Sequence, residues 1–342
     1  MRPNTMIDFR FRLLAYLFLS LCVSKTFAQQ QVGLDIDFFG YIDNREYKSM
    51  YTEDKTILGT LLSPQLFFAI DTNHLIVGGI QYNQDFGKHM ENHDRVLPIA
   101  YYSFRNANFD FALGHMPRYD RLKDVPKIVL SDTLFYDRPN VQGLYFAYQK
   151  KSIKQALYID WLSKQSYSQR ERFVIGLSGK FRIGNFFIAD DALLYHNALT
   201  SNDSIDEHIQ DNGIALLRIG TDLSQQTFLD SLTIDAGVAI GFDRMRTEYT
   251  LRVSRGFISN IYLGYQSFFL ANTFYIGDPQ NLPNGDSFYH RDKYNRLDVG
   301  WTPLKKGNLE GRFTASFHFA PDQTSNQQAF TLRYRFGKTV WH

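Results

Sequence analysis

Phe330-Thr-Leu-Arg-Tyr-Arg-Phe336 alternates apolar and polar residues without a break. In a strand, successive side chains point to opposite faces, so Phe330, Leu332, Tyr334 and Phe336 share one face, and Thr331, Arg333 and Arg335 share the other. Neither face suits a soluble core, because large aromatics crowd one side and full charges the other. A strand that is greasy outward and charged inward fits a barrel with lipid outside and water inside.

The same period runs through the rest of the chain. Leu34, Ile36, Phe38 and Ile42 oppose Asp35, Asp37 and Asp43, and Leu309, Phe313, Phe317 and Phe319 oppose Glu310, Arg312, Ser316 and His318. Leu232 to Phe242 alternates against Thr233 and Asp235. Between such segments, tight Asn-, Asp- and Gly-bearing turns (71–74, 105–108, 150–152, 183–185, 303–308) alternate with longer connections, above all 119–139, 199–211 and 278–292. Threading the chain this way predicts an all-β, transmembrane, antiparallel up-and-down barrel of about 16 strands, between 33–46 at one end and 326–336 at the other. The junctions at 224–230 and 246–267 leave about 14 strands as the alternative.

Arg2, Arg10 and Arg12, the apolar run Leu13–Val23 and Thr26-Phe27-Ala28 read as a signal peptide over 1–28, leaving 29–342 for the barrel. The lone Cys22 falls inside that leader, so the exported remainder has no disulfide framework. Losing four basic residues and Asp8 with the leader brings the chain close to neutrality, with no polybasic signature for nucleic acid. Aromatics make up 16% of the residues, yet no apolar run after Ala28 is long enough for a membrane helix.

With these residues in hand, the chain resembles the porin-like outer-membrane β-barrels of Gram-negative bacteria. The resemblance rests on the leader, the alternating strands and the closing Tyr334-x-Phe336, which is similar to the aromatic signal read by the barrel-assembly machinery. Typical members end on that aromatic, whereas here Gly337-Lys-Thr-Val-Trp-His342 follows. The resemblance implies an outer-membrane location, contact with outer-membrane lipids and the assembly machinery, a homotrimer as one open arrangement, and a constriction loop near Tyr119–Pro139.

Inward charges are the first candidate site. If the last strand closes against the first, Arg333 and Arg335 lie near Asp35 and Asp37, with Glu310 and Arg312 on the neighbouring strand. They line a pore, either as a transverse field that orients solutes or as pairs that neutralise one another. In the 119–139 segment, Arg121, Asp124, Asp132, Asp137 and Arg138 accompany the apolar Ile128-Val-Leu130 and Leu134-Phe-Tyr136. Such a run needs somewhere to pack, inside the lumen or in an extended hairpin. Ser316 and His318 share one strand face, but spacing of two residues does not by itself bring a hydroxyl to an imidazole, so they read as polar lining. His89, Glu91 and His93 read as a solvated loop rather than a metal site. Tyr101, Tyr102, Tyr145, Tyr148, Trp161, Tyr262, Tyr265 and Trp301 read as interfacial girdles. The expectation is a passive channel for small polar solutes, with neither cofactor, metal nor catalysis. A non-conducting binding or assembly barrel is the second reading, and an outer-membrane hydrolase using Ser316 and His318 the third.

Overall fold

A computed structural model describes residues 31–48, 54–87, 95–202, 208–321 and 323–337. The expected leader, the His89–His93 stretch and the final tail lie outside the described residues. Sixteen antiparallel strands follow one another around a closed barrel. They are β1 (Gln31–Glu46), β2 (Lys55–Ala69), β3 (His74–Asp85), β4 (Arg95–Arg105), β5 (Phe109–Pro117), β6 (Asn140–Lys150), β7 (Ile153–Ser163) and β8 (Arg172–Ile183). The second half contributes β9 (Phe186–Asn197), β10 (Gln210–Asp222), β11 (Ser231–Met245), β12 (Arg252–Tyr265), β13 (Phe268–Gly277), β14 (Lys293–Lys306), β15 (Leu309–Ala320) and β16 (Gln323–Gly337). Of the two doubtful stretches, 224–230 is a turn between paired strands and 246–267 contains β12, paired on both sides, which removes the 14-strand alternative. At the seam Asp37 pairs with Arg335 and Phe39 with Arg333, while Asp35 falls opposite Gly337.

The alternation sorts the two faces. Leu66, Ile76, Leu113, Leu217, Ile219, Val238, Tyr334 and Phe336 stand exposed on the outside, a belt that only a bilayer can cover. Facing inward are Asp43, Gln65, Gln81, Ser103, Asp191, Arg296, Ser316 and Gln327, all buried. Three residues expected in the girdle turn inward instead. Tyr101 and Tyr145 lie under the Arg121 guanidinium, 5.5 Å from each ring centre, and Tyr262 stacks on Phe269 at 5.9 Å. Period-two reading fixes faces only relative to neighbours, and these tyrosines fall on the lumen-facing parity of their strands.

The middle of the lumen is a packed core. Between β5 and β6 the chain folds inward through the short helices α1 (Tyr119–Leu122) and α2 (Leu134–Asp137). It buries Leu122, Val125, Ile128, Val129 and Leu130 against Tyr158, Val174, Leu193, Ile214 and Ile258 of the wall. Full burial of each such side chain is worth about 1.5–3 kcal/mol. The 278–292 connection descends onto the same segment: Ser131 N–H donates to the Asn284 carbonyl at 2.7 Å and Asp286 N–H to the Lys127 carbonyl at 2.9 Å. Where the segment leaves the wall, Arg118 and Asp160, each 1% exposed, meet at 2.5 Å. Arg118 Nε also donates to the Arg138 carbonyl at 2.7 Å, and Arg118 N–H to the Pro139 carbonyl at 2.8 Å, so one residue ties the start of the plug to its end.

The wall is not uniform. The β4–β5 ladder runs only from Arg105↔Asp110 to Ala100↔His115, leaving Arg95–Ile99 without partners on that side. The β6–β7 ladder stops at Gly143↔Asp160, leaving Trp161–Ser163 paired with β8 alone. The β5–β6 hairpin is therefore short at the long-loop end, and a notch about 16 Å deep opens beside β4, given roughly 3.3 Å per residue. Gly114 and Gly143 are cross-strand partners at its base. A Cβ at Gly114 would sit 2.2 Å from the Ala100 carbonyl oxygen and one at Gly143 2.2 Å from that of Ile159, so both neighbours close on the hairpin only because these positions lack side chains.

Candidate functional site

The charges expected at the seam meet there, together with a partner from the plug. Arg333 forms an ion pair with Asp37, with Nε donating at 3.0 Å, and Arg335 reaches Asp37 at 3.4 Å. Asp120 of α1 binds Arg335, so the seam pair also anchors the inserted segment. Glu310 and Arg312 pair with each other at 3.2 Å nearer the short-turn mouth, and Asp35 makes no direct bond to either arginine. Of the loop residues, Arg121 covers Tyr101 and Tyr145, and Asp124 approaches Lys154 at 3.7 Å. Asp132 binds Lys127 at 2.6 Å, Asp137 lines the long-loop vestibule, and Arg138 donates to the Leu162 carbonyl at 3.0 Å.

Arg296 is the hub of the vestibule floor. It lies 2.7 Å from Asp298, 3.6 Å from Asp286 and 3.7 Å from Asp132, and it donates to Ser316 Oγ at 3.1 Å. That geometry takes Ser316 away from His318. The imidazole instead pairs through Nδ1 with the Tyr294 hydroxyl at 2.7 Å and stacks on Phe288 at 4.2 Å. A serine–histidine dyad is therefore not assembled, and both residues belong to the packing under the 278–292 connection.

The inserted loop is charge-dependent. Burial alone would raise the Asp132 carboxyl, but Lys127 and Arg296 hold it below the ordinary carboxylate value, as Arg335 and Arg333 do for Asp120. A carboxylate depressed in the folded state contributes stability that is complete above its unfolded pKa of about 4 and is lost as pH falls below that. Burial raises Asp286, whose protonation partly offsets the loss. Acidification below about pH 4 should therefore loosen the plug. Ion current through bilayer-embedded protein should rise on that acid side, and an unchanged current would contradict the anchoring.

A second cluster, on the outer wall, escaped the sequence reading. Trp161, Phe173, His196 and Asp211 are successive cross-strand neighbours on β7 to β10, all on the lipid-facing parity at the long-loop end. The rings form a continuous row, Trp161 to Phe173 at 5.0 Å and Phe173 to His196 at 4.9 Å. His196 Nδ1 lies 2.6 Å from Asp211 Oδ1, while Arg246 holds Oδ2 at 3.0 Å. A carboxylate only accepts, so Nδ1 carries the proton and the Nε2 lone pair is left to point elsewhere. The signal was invisible because His196 and Asp211 are separated by a connection of uncertain length. A strand-end histidine also reads as girdle.

A family model described as lipid A 3′-O-deacylase-type matches residues 24–340. The chain belongs to that family. This overturns the expectation of a barrel without catalysis, since the deacylase-type family is named for an enzyme. Among solved structures, the outer-membrane protein OpdK of Pseudomonas aeruginosa is 11% identical, with 90% of this chain and 99% of that one covered at a TM-score of 0.50. A loop-deletion mutant of OmpT from Vibrio cholerae is 9% identical, covering 90% and 99%, at 0.54. Salmonella typhi OmpF in complex with daunomycin is 12% identical, covering 90% and 98%, at 0.51. These likenesses establish the porin-like outer-membrane barrel fold for this member of the deacylase-type family. A search of curated proteins found no match.

Proposed function

We propose that this barrel is an outer-membrane ester hydrolase that removes an acyl chain from a lipid A-type glycolipid of the outer leaflet. Family membership supplies the substrate class. The observation that carries the reading is the His196–Asp211 pair, an oriented imidazole on the outer wall at the end bearing the long loops. In outer-membrane barrels that end faces outward from the cell, where glycolipid ester linkages lie at the interface. His196 Nε2 takes a proton from water, the water oxygen attacks the ester carbonyl, and the proton passes to the departing alkoxide, giving a carboxylic acid and an alcohol. Asp211 fixes the tautomer and stabilises the imidazolium.

Purified, folded protein in mixed micelles with lipid A should release acyl chains, read as mass loss of the lipid. Intact lipid A after prolonged incubation would sink the proposal. A passive pore is the weaker reading, because the Leu122–Leu130 segment is buried across the middle of the lumen. In planar bilayers at neutral pH the protein should carry far less current than an open barrel of equal strand number, and a steady porin-sized current would restore the pore.

A further inference from the structure

The notch in the wall encloses a cavity of about 280 Å³. Its lining combines Arg95 and Pro98 of β4 with His115, Arg138, Asn140 and Gln142, and one carboxylate, Asp137. Asn140 distinguishes it from a packing fault. This side chain is 6% exposed, and among the described residues neither its amide oxygen nor its nitrogen has a hydrogen-bond partner. A buried amide without partners is costly, so a polar group entering the notch would gain by pairing with it. The Arg138 guanidinium makes one hydrogen bond among the described residues, to the Leu162 carbonyl, and so has donors to spare. Val96, Leu113 and Trp161, exposed on the lipid-facing side, flank the opening, so the notch is open to the bilayer.

We propose that this notch holds the polar headgroup of an anionic outer-leaflet glycolipid. Asn140 and Gln142 would pair with sugar hydroxyls and amides, and Arg138 with a phosphate. The acyl chains would run down the outer wall over Val96 and Leu113. The assignment rests on the hydrolase reading for its ligand class, and it deepens it. The Trp161–Phe173–His196 row leads from the edge of the notch to the imidazole, which leaves ester-linked chains of a notch-bound headgroup beside the base.

Binding and turnover are measured separately on the full chain in phosphatidylcholine nanodiscs doped with bisphosphorylated lipid A. Native mass spectrometry reports occupancy, and lipid mass reports acyl loss. Asn140→Leu should raise the unfolding temperature, by removing an unpaired amide, while lowering lipid A affinity about tenfold. Arg138→Gln should lower affinity for phosphorylated lipid A more than for its dephosphorylated form. Occupancy unchanged in both variants would overturn the notch, whatever the wild type hydrolyses. Occupancy lost in both variants, with no acyl loss by the wild type, would keep the notch and remove the hydrolase.

Discussion

Arg118→Met should unseat the plug and cost about 3–5 kcal/mol, the usual penalty for removing one partner of a buried ion pair. Asp160 would be left charged at 1% exposure, keeping only the Gln142 N–H that it accepts at 2.9 Å. The carbonyls of Arg138 and Asn140 would lose their donors as well. The double variant Arg118→Met, Asp160→Leu should recover much of that loss, because a matched apolar pair replaces a buried charge pair at little net cost. Denaturant midpoints in detergent give the stability, and bilayer current reports whether the segment has left the lumen. A single variant with wild-type midpoint and wild-type current would show that Arg118 does not hold the plug.

His196→Gln should lower acyl release by about 10²–10⁴-fold, the range contributed by a positioned general base. Glutamine preserves a hydrogen bond to Asp211 but cannot accept and return a proton. The variant should remain folded, since His196 stands on the lipid-facing side and not in the lumen core. Asp211→Asn should impair the reaction by a different route, with the amide able to favour the wrong imidazole tautomer. Loss of activity with an unshifted pH profile in Asp211→Asn would mark Asp211 as mere support for the fold. Full activity in His196→Gln would remove the base altogether.

Strand number, closure and the Arg333–Asp37 contact were legible because alternation carries over from residue to residue and closure fixes which ends meet. The plug was legible as an apolar run that had to pack somewhere, though nothing local to it named Arg296 or the 278–292 connection as partners. Asp190 and Asp191 show why polar runs blur. Asp191 faces inward to Arg218 at 2.8 Å, while Asp190 faces outward and accepts from Gln155 at 2.9 Å across Gly179. Which partner satisfies a carboxylate depends on register across two strands, information that adjacent residues do not contain. His196 and Asp211 were missed for the same reason, and the notch because ladder length is decided by neighbouring backbones.

The seam has a consequence for assembly order. Asp120 binds Arg335, a contact spanning 215 positions of chain, and Arg335 belongs to the final strand. Contacts so distant in sequence form late, because a long loop must be closed before they exist. The inserted segment therefore gains its Asp120 anchor only when the final strand is in place, and the nascent barrel passes through a stage in which that end of the plug is unanchored. Truncation before Arg333 would leave not just an unpaired edge but a plug without its Asp120 anchor, held to the wall at Arg118 and Arg296.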